Sequence, residues 1–183
     1  MCARVSEKHL QSAFFSFCET CQLGCCNGVR PPLTPKRKRI IQNFLKANSI
    51  IVPKPFENRD YTFPRETPDG YCIFFGNVTK KCLIHPVKPE TCVAGPITFD
   101  INRQTEKIEW FLKTEKICAL AAALYQNKES FEKHSKSAKS KVMKLVQNLD
   151  SDALRAILAI AEPDTFKFGE DILHSKVAAK LKQ

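Results

Sequence analysis

The stretch Phe17–Gly28, FCETCQLGCCNG, sets Cys18, Cys21, Cys25 and Cys26 in a C-x2-C-x3-C-C array. Thiolates are soft, charged ligands, and gathering several of them without a cation incurs repulsion and desolvation. The spacing therefore points to a bound metal. Cys18 and Cys21 suit a single metal held from one loop. Cys25 and Cys26 are neighbours whose side chains tend to point apart, so they serve either two metals or one metal and its surroundings. Gly24 and Gly28 favour a tight ligand loop over regular structure.

Working outward, Cys72, Cys82 and Cys92 fall between Asp69 and Pro96, and Cys118 follows a predicted hairpin. With Cys2 set aside as an exposed thiol, eight of the nine cysteines are candidate ligands. Two four-thiolate zinc sites and an iron-sulfur cluster both fit that number. A thiol redox relay is the competing reading of the array. For Cys118, at the start of an apolar helix, the competing reading is a small core residue. His85, three residues after Cys82, suits a mixed site or a hydrogen bond within its own loop. His9, His134 and His174 lie in helical patterns read as solvated. No serine, histidine and acid arrangement, paired-carboxylate signature or phosphate-binding glycine loop stands out, which argues against hydrolase and nucleotide-binding readings.

The flanking segments divide clearly. Ser6 caps a predicted helix bearing Leu10, Phe14 and Phe17, which leads into Cys18. Thr34 followed by Pro35 starts a helix to about Ala47, with Ile40, Ile41, Phe44 and Leu45 turned inward. Lys36, Arg37, Lys38 and Arg39 crowd its first turn against the helix dipole and are read as a solvated basic patch. Ile50–Pro68 reads as extended with at most one short strand. Pro68-Asp69-Gly70 turns into a strand over Tyr71–Phe75, with Cys72 and Phe74 on one face. Cys82–Pro96 reads as an irregular loop. Ile97–Ile101 and Lys107–Leu112 form a hairpin around Asn102–Thr105, in which Trp110 and Phe111 are packing residues. From Ile117 the pattern is helical: Ile117, Leu120, Ala121 and Leu124 form one face, and Val142, Leu145, Val146 and Leu149 another. Asp150 or Ser151 caps a helix over Asp152–Ala161, which Pro163 stops, and a last helix follows Gly169 and reaches Leu181.

A chain of 183 residues buries one sizeable core, or a core with a smaller appended piece. The formal charge of +10 is compatible with a polyanion partner, although lysines spread along helices read first as a solvated face. No apolar run is long enough for a membrane span, and Met1–Gln11 has neither an apolar signal core nor a cleavage site. A cytoplasmic location is expected. In that reducing compartment, thiols serve metals rather than structural disulfides.

The Cys18–Cys26 array, Asp69-Gly70-Tyr71-Cys72, Cys82 and Pro89-x2-Cys92-x3-Pro96 together resemble the YkgJ-type cysteine-cluster family, whose members are described as zinc- or iron-chelating. The resemblance covers about Phe17–Cys118. It implies zinc or iron-sulfur binding, with Cys118 aligned to a later family cysteine. That cysteine is usually followed by proline and glycine, where Ala119 and Leu120 stand here. His85 falls where the family more often has tyrosine, and Lys88 replaces its usual arginine, so a bidentate contact becomes a point-charge one. Flagellin lysine methylases are similar in carrying such a cluster.

The expectation is a small α+β, cysteine-rich, irregular metal-binding domain with short strands over 1–124, followed by a helical C-terminal extension over 125–183. Its metal ligands would be Cys18, Cys21, Cys25, Cys26, Cys72, Cys82, Cys92 and Cys118. No residue stands out as a catalytic acid, base or nucleophile. An iron-sulfur oxidoreductase or lysine methyltransferase-like enzyme is the alternative. A zinc-stabilised nucleic-acid binder, resting on charge alone, is the third reading. The helical tail offers a surface for a protein partner.

Overall fold

A computed structural model describes residues 26–162 and 164–182. The predicted helix before Cys18, the array members Cys18, Cys21 and Cys25, and also Cys2, His9 and Pro163, lie outside the described residues. The architecture is α+β, with short antiparallel strands and helices concentrated toward the C-terminus.

Helix α1 spans Pro35–Ala47, where Thr34 Oγ1 accepts the Arg37 N–H at 3.1 Å and Pro35 occupies the first turn. Ile41 and Leu45 are buried, while Ile40 and Phe44 are half-buried. The basic first turn is only partly solvated. Arg37 turns inward, 2.7 Å from Glu90, and the Lys38 ammonium lies 5.5 Å over the Phe56 ring. Partners from distant segments thus offset the unfavourable placement of these charges at the helix start.

Two strands, β1 (Phe56–Asn58) and β2 (Thr62–Pro64), pair antiparallel where at most one was expected. The predicted strand over Tyr71–Phe75 is replaced by two isolated bridges, a turn, and the minimal hairpin of β3 (Phe75–Gly76) with β4 (Lys81–Cys82). Neighbouring amides here serve different segments: Cys72 N–H donates to Cys26 O, Ile73 N–H to Arg65 O, and Phe75 N–H back to Cys72 O. A continuous ladder cannot form under those demands. Cys72 and Phe74 nevertheless pack into the same apolar cluster, with Leu33, Ile41, Leu45 and Ile84.

The expected loop between Cys82 and Pro96 contains a 3-10 turn, His85–Val87, and a short helix, α2 (Glu90–Ala94). Pro86 and Pro89, with φ preset near helical values, initiate each of them. The predicted hairpin is present as β5 (Ile97–Asn102) and β6 (Lys107–Lys113). Its inward positions, Ile97, Ile101, Ile108, Trp110 and Leu112, are buried.

Helices α3 (Ala119–Gln126), α4 (Lys128–Asn148) and α5 (Ser151–Leu158) follow, with Asp150 capping α5 through the Ala153 N–H at 2.8 Å. Thr165–Ile172 is not part of a helical run. It forms β7, which pairs with β6, and α6 (Ser175–Lys182) comes after it. A register shift opposite Trp110 and Phe111 interrupts the period-2 pattern, which is why the sequence hides this strand. The main core joins Ile97, Ile108, Trp110 and Leu112 to Ala138, Val142, Val146, Leu154, Leu173 and Val177. Tyr61 and Phe63 pack separately against Leu145, Leu149 and Ala153. Among the described residues, no helix is long and apolar enough to cross a membrane.

Candidate metal centre

Cys26, last of the N-terminal array, is anchored by backbone pairing. Its carbonyl accepts the Cys72 N–H at 2.9 Å, and the Gly28 N–H donates to Gly70 O at 2.8 Å. Between these bonds, Asn27 bridges Tyr71, and its side-chain amide donates to Asp69 O at 2.9 Å. The Asp69-Gly70 turn is closed by Gly70 N–H to Thr67 O and by Tyr71 N–H to Thr67 Oγ1. Gly70 sits at φ 80°, a conformation that favours glycine. The turn therefore lays the segment after the array along the segment that carries Cys72.

Cys72 and Cys82 both pack against the cluster around Phe74 and Ile84. Burial pushes the Cys72 thiol up to about 11, with the nearby Cys82 and Glu66 adding to the shift and a backbone hydrogen bond at Phe74 opposing it. Without a cation, Cys72 is thus held as a neutral thiol in an apolar setting. Thiol sulfurs are soft donors that suit zinc and iron, so the donor chemistry of Cys26, Cys72 and Cys82, all half-buried, suits such a metal.

Cys92 is the third residue of α2 and is half-buried. Its helix is tied to α1 by Glu90, which faces Arg37. The second Glu90 carboxylate oxygen and the Thr91 hydroxyl are buried without a hydrogen-bond partner. Cys118 lies elsewhere, against the main core at the start of α3, with its N–H donating to Thr114 O at 3.0 Å. Among the described residues, no group of three or more His, Cys, Asp or Glu side chains is placed to hold a metal. The described thiols thus divide: Cys72 and Cys82 pack against the smaller core, the Cys26 backbone is bonded to that of Cys72, Cys92 sits on α2, and Cys118 packs with the main core at the start of α3.

His85 is half-buried on the 3-10 turn, and burial, aided by Lys88, lowers its pKa. His174 is exposed, and its Nδ1 accepts the Lys176 N–H at the start of α6. His134 departs from the solvated pattern expected of it. It is half-buried on α4, with Nε2 3.0 Å from Ala94 O, and burial lowers its pKa. One signal was available: Phe131, Ala138, Val142 and Leu145 recur at helical spacing, and position 134 falls within that stripe.

No curated protein and no solved structure matches the chain significantly. The sequence profile described as "Putative zinc- or iron-chelating domain" matches residues 17–119. That span contains the thiols of the array, the Cys26–Cys72 pairing, and Cys82, Cys92 and Cys118; the chain belongs to the CxxCxxCC family.

Proposed function

We propose that the protein binds zinc or an iron-sulfur cluster through thiolates drawn from Cys18, Cys21, Cys25, Cys26, Cys72, Cys82, Cys92 and Cys118, and that the bound centre holds its irregular loops in place. One observation carries this reading: the backbone bond from Cys72 to Cys26 ties the end of the array to a half-buried thiol near Cys82. Zinc would supply a cross-link between thiolates, and an iron-sulfur cluster would add a one-electron couple. The chain's own part is to supply donors and exclude water. Phe74 and Ile84 do the latter, since both are buried against Cys72 and Cys82.

The test is metal, iron and labile sulfide analysis of protein purified without air, with visible spectra before and after reduction. Stoichiometric zinc in colourless protein supports the structural centre. Iron with sulfide and a reducible broad absorption supports the cluster and opens a search for an electron-transfer partner. Cys72→Ser is expected to lower metal content and the melting temperature together, because binding energy in such centres is folding energy. Wild-type protein that takes up neither metal overturns the proposal.

A further inference from the structure

Helix α2 is only five residues long, and Cys92 lies at its centre. At its ends, Val93 N–H donates to Pro89 O and Gly95 N–H to Thr91 O, both at 3.0 Å. Carbonyls at the end of such a helix need donors from elsewhere. Ala94 is completely buried, so water is a poor substitute. The donor comes from 40 residues away, where His134 Nε2 lies 3.0 Å from Ala94 O. A backbone carbonyl only accepts, so this ring nitrogen carries the proton.

The ring is mounted on a firm support. His134 belongs to α4, whose Ala138, Val142 and Val146 are buried in the main core alongside Ala94 itself. At the other end of α2, Glu90 is held by Arg37 of α1. The helix carrying Cys92 is therefore clamped at both ends, by an ion pair at its start and by His134 at its finish.

We infer that His134 is a positioning residue for the metal centre: by donating to the Ala94 carbonyl it fixes the end of α2 and so the placement of Cys92. The inference rests on Cys92 being a metal ligand. It assigns the C-terminal helices a role in metal retention, since the donor lies outside the segment matched by the family profile.

The experiment uses the full chain loaded with its metal, and reads metal retention against a competing chelator together with the thiolate-to-metal charge-transfer band after cobalt substitution. Cys92→Ser is expected to lower stoichiometry. His134→Ala is expected to keep stoichiometry while losing about tenfold to a hundredfold in affinity, the range typical of groups that orient metal ligands, and to shift the cobalt band. His134→Gln places an amide donor where Nε2 stood and restores most of the affinity. Leu154→Ala, a core change on α5 rather than on α2 or at His134, lowers melting without moving either metal readout. If His134→Ala does not fold, Gln and Asn carry the comparison: the shorter Asn amide falls short of Ala94 O and has to lose affinity that Gln keeps.

Wild-type affinity in His134→Ala, or in Asn, alongside a defective Cys92→Ser overturns the inference alone. So does equal metal loss in Leu154→Ala, or failure of Gln to restore binding. Full stoichiometry and affinity in Cys92→Ser overturns the ligand reading and the inference with it.

Discussion

Gly70 shows how much of the candidate centre depends on a single residue. It holds a positive φ of 80°, and a Cβ there would lie 3.3 Å from the Asn27 amide nitrogen. Its carbonyl accepts the Gly28 N–H, which keeps Cys26 alongside Cys72. Gly70→Ala is expected to cost about 1–2 kcal/mol, from backbone strain and crowding of Asn27. Urea titration of the metal-free protein checks the stability, and metal content checks the centre, which should suffer too. The cysteines and this turn were legible in the sequence because dense thiols and Pro-Asp-Gly each have few physical explanations. His134 was not, because its role depends on a carbonyl 40 residues away that a linear pattern does not contain.

Among the elements, strand β7 is the most informative. Its Glu170 carboxylate takes hydrogen bonds from Lys107 and Lys167, with Lys107 the larger influence, and its pKa is held down at about 2. A folded pKa below the unfolded one stabilises the fold above the ordinary carboxylate range, and that contribution disappears as pH falls toward 2. Glu170→Gln should therefore flatten part of the stability loss between about pH 4.5 and 2, as followed by melting temperature across that window. An unchanged pH profile would argue against the cluster. Helix α1 and the β5–β6 hairpin were readable because cap chemistry and alternation are local signals. Strand β7 was not, since its register shift breaks the alternation just where Gly169 falls opposite Trp110. Helix α2 was obscured as well, because five residues between prolines and glycine are too few to show a helical period.

At the scale of the whole molecule, the segment after Leu124 supplies one side of the main core. Trp110 is fully buried, and its indole N–H donates to Asp171 at 2.7 Å, where Lys139 also binds at 2.9 Å. A chain ended at residue 124 loses Ala138, Val142, Val146, Leu154, Leu173 and Val177 from that core, together with the strand paired to β6. Such a fragment is expected to lack a cooperative thermal transition and to bind a hydrophobic dye, even with metal supplied. A sharp transition matching the full chain would show instead that residues 1–124 are self-sufficient. By itself, the sequence determined that thiols dominate this protein, that α1 begins at Thr34–Pro35, and that a hairpin precedes a helical end, because capping, turn chemistry and soft-ligand spacing act between near neighbours. Only the tertiary structure decided that Cys26 lies beside Cys72, that β7 returns to complete the sheet, and that His134 reaches the helix of Cys92. These depend on which distant backbone groups are left without partners, and that is settled only when the segments pack together.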